Sequence, residues 1–307
     1  MTISHAYKNI SRFRRRYGMI TAIRSMIHYF FVAIRKSKLN SKNSIIEVNG
    51  TQLEIIPGDL GTSFELLMFK THEPFSTQIV RETLQKGMTC LDIGANIGYY
   101  VTLESKVIGD QGRILAIEPS PLNFEFLKRN VELQNRTNIE VFNFAAGEKN
   151  GQINFIMDEN ESNSGRVISD DKLTTWSGPV TKLPVKTIDS FLDEMKIDKI
   201  DFLRMDVEGY EYNIFQGMKN TIKKSKPIIQ IEVHKSIMGI ETTKKWLDEL
   251  KHEGYELKSY IARELDIPFI GTLNDIKYFD LNELITKLDN SQLPSFFMLT
   301  LENKNTC

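Results

Sequence analysis

Cysteine is scarce. Two residues in 307, Cys90 and Cys307, give no disulfide framework and fit a reducing, cytoplasmic setting. Excess charge is missing too: 39 basic residues stand against 40 acidic ones, which argues against a protein built to hold nucleic acid. No apolar run is long and clean enough to span a membrane. The segment from Gly18 to Ile34 is broken by Arg24 and His28 and has no small-residue cleavage site, so neither a spanning helix nor a signal peptide is expected. Acid is absent from one whole region. Residues 1–46 carry ten bases and no carboxylate, leaving 39 − 10 = 29 bases against 40 acids in the remainder.

Within that basic arm (1–44), Met19, Ile20, Ile23, Met26, Ile27, Phe30, Phe31 and Ile34 fall on one face of a helix, with Thr21, Arg24, Ser25 and His28 opposite. Such a helix either packs its apolar face on the body or a partner, or lies in a membrane surface with its bases on anionic headgroups. Peripheral membrane contact through residues 8–38 is the second of these expectations. Residues 45–87 read as a hairpin, with Asn49-Gly50 between IIEV and TQLEII, and a helical lead-in. From residue 88 to 307, short apolar strands alternate with helices, which predicts an α/β domain with a doubly wound, mostly parallel sheet. The polar stretch ENESNSGRVISDDKL reads as a substrate-facing excursion or a loop, and PSFFMLTLE as an added edge strand.

In such a sheet, ligands sit beyond the carboxyl ends of the strands, and the turn after the first strand is the usual contact. That turn is Asp92-Ile-Gly-Ala-Asn-Ile-Gly98. Gly94 and Gly98 let backbone approach a ligand, and Asn96 tolerates left-handed angles. A dinucleotide fingerprint needs glycine where Asn96 and Tyr99 stand, and a pyrophosphate is repelled by Asp92. A ligand carrying an ammonium, such as S-adenosylmethionine, is attracted by it. Glu118 lies 118 − 98 = 20 residues after the second glycine, at a strand end, where a carboxylate accepts from both ribose hydroxyls.

A second cluster is expected on later strands. Asp206 and Glu208 end IDFLRMDVEG, and Glu232 and His234 end IIQIEVH. Residues two apart share a strand face, so all four converge beside the ligand crevice. They suit either proton abstraction from a substrate hydroxyl, with His234 as base, or retention of a divalent metal ion that acidifies that hydroxyl. His5, His28, His72 and His252 are expected to be surface or packing histidines.

The chain resembles the FkbM family of S-adenosylmethionine-dependent methyltransferases. LDIGANIGYY, IEPSPLNFEFLKRNVELQN, AAGEKNG, DFLRMDVEGYE and IEVH carry the resemblance in order and spacing, with VNG and Glu73-Pro74 ahead of them. The resemblance implies a Rossmann-like class I fold and methyl transfer to an oxygen of a sugar, glycan or natural-product scaffold. It makes Asp92, Gly94, Asn96 and Gly98 the methionine-side loop, Glu118 the ribose ligand, Ala146 part of the adenine-side wall, and Asp206, Glu208, Glu232 and His234 the transfer site. The family often has lysine where Arg204 stands; arginine keeps the charge, but its planar fork is not an ammonium. The rival readings are an NAD-dependent sugar oxidoreductase or epimerase, which lacks a third glycine and a Tyr-x-x-x-Lys, and a membrane-recruited adaptor without catalysis.

Overall fold

The computed structural model describes residues 3–35, 45–158, 161–168, 178–290 and 292–304, without the side chains of 3–9, 33–35, 158 and 161–164. The basic arm forms helix α1 (Ile3–Arg35), broken at Gly18, whose φ of 88° costs glycine nothing. The apolar stripe on α1 exists as the periodicity predicts, but it points outward: Ile20 is 69% and Phe30 63% exposed. Phe13, Ala22, Ser25 and His28 are the buried contacts with the body. The alternative in which the apolar face packs on the body is therefore corrected; Phe13, Ala22, Ser25 and His28 make that contact instead.

Strands β1 (Ile45–Val48) and β2 (Thr51–Glu54) pair with Val48 opposite Thr51. Asn49 and Gly50, at φ 56° and 70°, make the two-residue turn whose twist suits the hairpin. Helices α2 (Thr62–Phe69) and α3 (Pro74–Thr83) follow, the latter started by a proline whose missing N–H would be unpaired in any first turn.

The alternating region then builds β3 (Thr89–Ile93), α4 (Tyr99–Ile108), β4 (Arg113–Ile117), α5 (Pro121–Glu132) and β5 (Ile139–Phe142). A side excursion contributes β6 (Ala145–Ala146), β7 (Gly151–Asp158), β8 (Glu161–Ile168) and β9 (Val180–Lys186), a four-stranded sheet in the order β6-β9-β7-β8. The main sheet resumes with α6 (Ile188–Glu194), β10 (Phe202–Met205), α7 (Glu211–Gln216), α8 (Lys219–Ser225) and β11 (Ile228–His234). Next come α9 (Lys235–Met238), α10 (Ile240–His252), β12 (Tyr255–Ala262), α11 (Leu281–Asp289) and β13 (Phe296–Asn303).

The seven main strands run in the order β12-β13-β11-β10-β3-β4-β5, all parallel except β13. This is the Rossmann-like, doubly wound arrangement of a class I methyltransferase. The last apolar run does form a strand, but not at the edge. It is wedged between β11 and β12, where both faces are covered, which accounts for the unbroken apolar run FFMLTL.

The sheet separates two cores. Leu91, Ile93, Leu115, Ile117, Leu203 and Met205 pack on one face, and Cys90, Ile114, Ala116 and Phe202 on the other, as the two-residue period of a strand demands. Truncating one of the fully buried leucines, such as Leu91, to alanine costs about 2–5 kcal/mol. From β3 the chain winds toward β5, and from β10 it winds the other way. The crevice at the carboxyl ends of β3 and β10 is thus the switch point.

Candidate active site

A cleft of about 560 Å³ opens at that switch point, within the usual range for a small-molecule site. One half of it is made mostly of backbone. The β3–α4 turn passes so close to the end of β10 that a Cβ on Gly94 would lie 1.9 Å from the Asp206 carbonyl oxygen. Only glycine fits there. Asn96 takes a left-handed φ of 50° and donates its N–H to Glu118 Oε2 at 2.8 Å, while Ser120 N–H donates to Oε1 at 2.9 Å. Burial pushes the Glu118 carboxyl up to about 7 despite these bonds. The Asn123 side chain bonds to this carboxylate as well, and Glu118 lines the cleft together with Asn96, Ala145 and Ala146. Tyr210 and the β7–β8 residues Phe155, Gly165, Arg166 and Val167 also line it. The described part of the polar excursion is therefore a cleft wall, while 169–177 lie outside the described residues.

Asp92 and Gly98 stand elsewhere than the sequence suggested. Asp92 is fully buried, and the cation it meets is Arg204, directly across the β3–β10 pair, with Nη1 3.3 Å from Oδ1. Gly98 begins α4 at φ 90°, and a Cβ there would press on Leu127 at 2.8 Å, so its constraint is packing of the turn on α5. Neither residue lines the cleft.

The other half is made of charge. Arg204 lies 3.2 Å from Asp206 and 3.9 Å from Glu73, and its guanidinium sits 3.8 Å from the centre of the Tyr100 ring. Three carboxylates around one buried guanidinium offset its desolvation, and it holds its proton well above the ordinary range. Glu73, in a left-handed φ of 46° at the start of α3, also receives the Tyr100 hydroxyl at 2.8 Å and Arg263 Nη2 at 3.2 Å. Burial opposes its charge, but Arg263, His72 and Arg204 hold its carboxyl well below the usual range. Arg263 continues the chain of charges to Glu232 at 3.5 Å. Burial, and then Asp206, push Glu232 up to about 8.

Asp206, Glu208, Glu232 and His234 do converge in the cleft. Glu208 does so from the turn after β10, at φ 54°, rather than from the strand itself. His234 is buried, with Nδ1 2.5 Å from Glu211 Oε1 and Nε2 3.2 Å from Glu208 Oε2. Burial alone would lower its pKa, but Glu211 and Glu232, with the bonds to Glu208 and Glu211, raise it well above the ordinary value. Glu211 is the partner that sequence reasoning missed. Its signal was the second glutamate of DVEGYE, one turn past Glu208.

His72 was also misjudged as a packing residue. It is buried on the cleft wall with Nδ1 2.6 Å from Glu65 and Nε2 3.3 Å from Glu73, and these carboxylates raise its pKa well above the ordinary value against the effect of burial. Arg263, and Arg12 and Arg16 of α1, are further lining residues without a local sequence signal. His28 does pack, stacked on Phe69 at 5.1 Å, and His252 is exposed; the side chain of His5 lies outside the described residues. Among the described residues, Asp206, Glu232 and His234 each bring a ligand atom to within 4.8 Å of the others. Two carboxylates and an imidazole suit a hard or borderline divalent ion.

The chain is 27% identical over 143 residues to Methyltransferase 1 of Beauveria bassiana, covering 42% of this chain and 57% of that protein. It is 24% identical over 169 residues to the hexuronic acid methyltransferase AglP of Haloferax volcanii, covering 54% and 64%. It is 24% identical over 165 residues to the 2-O-methyltransferase NoeI of Sinorhizobium fredii, covering 48% and 65%. The chain thus spans less than two thirds of each relative's length. The crystal structure of methyltransferase FkbM from Methylobacillus flagellatus KT overlays at a TM-score of 0.39 and 22% identity, covering 61% of this chain and 47% of that one, too loosely to align individual residues. The family model of the methyltransferase FkbM domain matches residues 92–257, more than half of the chain, and the chain belongs to that family.

Proposed function

We propose that this methyltransferase uses S-adenosylmethionine to methylate a hydroxyl oxygen of a saccharide or related natural product. The observation that carries the reading is that one cleft has a backbone-rich rim around Glu118 on one side and a Glu211–His234 pair on the other. The names of two relatives, one for a hexuronic acid and one for a 2-O position, support a sugar hydroxyl as acceptor.

Glu118 accepts from the ribose hydroxyls, and the backbone around Asn96 and Ala146 borders the nucleoside. When bound, S-adenosylmethionine supplies the sulfonium methyl that the acceptor oxygen attacks in line. Asp206 lies at the junction of the two halves and orients the acceptor. Glu211 holds the Nδ1–H of His234, which directs Nε2 into the cleft in the manner of a carboxylate–histidine–hydroxyl relay. Glu208 occupies Nε2 in this structure, and Glu211 and Glu232 hold the imidazole charged. As the acceptor hydroxyl takes the place of Glu208, that carboxylate carries the Nε2 proton away, and the neutral imidazole left behind accepts the hydroxyl proton as the new C–O bond forms. Burial of the cleft strengthens these interactions.

The grouping of Asp206, Glu232 and His234 favours a second reading of the same step. A divalent ion held by these three would lower the pKa of the acceptor hydroxyl. Mn²⁺ titration followed by electron paramagnetic resonance distinguishes the two: a bound signal lost in Glu232→Gln supports the ion, and none supports His234 as the base.

The reading as a whole is tested by binding and turnover measured separately. S-adenosylhomocysteine should raise the Tm where NAD does not, and tritium from labelled S-adenosylmethionine should pass to saccharide hydroxyls. Stabilisation by NAD alone would sink it.

A further inference from the structure

Helix α1 is turned inside out. A helix whose apolar stripe faced the protein would bury Ile20, Ile23, Ile27 and Phe30, yet these are between 45 and 69% exposed, while Ser25 and His28 are buried. Among the described residues no helix is long and apolar enough to cross a membrane, so against a bilayer the stripe would lie in the plane of the surface.

We propose that α1 docks in the plane of an anionic lipid bilayer, apolar stripe down, and so holds the cleft mouth at headgroup level. The acceptor is then a saccharide carried on a lipid. This second step rests on the proposed methyl transfer to a sugar hydroxyl; the docking does not.

Charge selects the occupant of the stripe. The first 46 residues carry ten bases and no acid, which anionic headgroups match and a second copy of the same helix does not. The remaining 29 bases against 40 acids are repelled by the same surface, so the field orients the molecule with α1 toward the lipid. Proximity to the cleft gives the docking its use. Arg12 and Arg16 line the cleft, and the exposed stripe starts at Met19, just past the break at Gly18. Both arginines pair with Glu264, at 3.5 and 3.2 Å, which ties the helix to the cleft rim.

The test uses the full chain and sedimentation with vesicles of phosphatidylcholine, with or without phosphatidylglycerol. Binding is expected only with the anionic lipid, weakened by salt, and about a hundredfold weaker for the triple variant Ile20→Asp, Ile27→Asp, Phe30→Asp. That variant should keep its thermal shift with S-adenosylhomocysteine, which shows that the body is folded. Failure of the wild type to sediment with anionic vesicles, or a dimer in solution that the triple variant abolishes, overturns the docking. For the acceptor, membranes from cells making the protein are incubated with tritiated S-adenosylmethionine and extracted with organic solvent. Label in the organic phase, released by mild acid as a methylated sugar, supports the assignment. Label confined to water-soluble saccharides, or absent from both phases while vesicle binding persists, overturns it.

Discussion

The two halves of the cleft are built in opposite ways. The half around Gly94, Asn96 and Glu118 comes from one continuous stretch of chain and works through backbone N–H groups and one carboxylate. The half around His234 draws side chains from α3, β10, α7, β11 and the segment after β12, and works through charges that hold one another in place. A site built from backbone is little altered when side chains change, whereas in a network of side chains changing one re-sorts the others.

Arg204 joins the halves, since it pairs with Asp92 on one side and Asp206 and Glu73 on the other, so its removal should break both at once. Arg204→Ala leaves the buried Asp92 and the half-buried Asp206 without a cation, while Glu73 keeps Arg263 and His72, and should cost about 3–5 kcal/mol, read from urea unfolding. Unchanged stability would mean that the halves are independent. Breaking the charged half alone comes next. His234→Ala should lower kcat about a hundred- to thousandfold with S-adenosylhomocysteine affinity unaltered, and Glu211→Gln should follow it in direction. An equal loss of ligand affinity would show that the division between the halves is false.

The first half is sharpened by pH. The folded-state pKa of Glu118 is raised from 4.5 to about 7, so the folded chain retains a proton that the unfolded chain releases between those values. Glu118 therefore contributes less stability as pH rises through that window. Ribose hydroxyls need the ionised carboxylate, so S-adenosylhomocysteine affinity should rise about tenfold per unit up to pH 7 and then level off. Calorimetry should show a flat profile for Glu118→Gln, with affinity reduced about tenfold. Outside both halves, Gly50→Ala strains the hairpin turn and should lower stability by about 1 kcal/mol without altering ligand binding.

Legibility divides along the same line. The β3–α4 turn, Glu118 twenty residues on, and the Asn49-Gly50 hairpin could be read because each is fixed by neighbours in sequence. Asp92 was legible as a carboxylate needing a cation, but the strand pairing that supplies Arg204 was not. The Glu73–Arg263 contact joins segments nearly two hundred residues apart, and no local pattern announces it. Periodicity showed that α1 has an apolar face; which way that face turns is fixed by its contacts with the body through Phe13, Ala22, Ser25 and His28, and sequence alone does not give these.

Strand β13 has a consequence for how the molecule comes into being. It is separated from β11 by roughly sixty residues, yet it lies beside it, and Phe296 pairs with His234. Until residues 296–303 have left the ribosome, β11 is an open edge and the imidazole of His234 lacks its neighbour. The β3–α4 rim can thus be complete on a nascent chain while the side of the cleft around His234 is still half made.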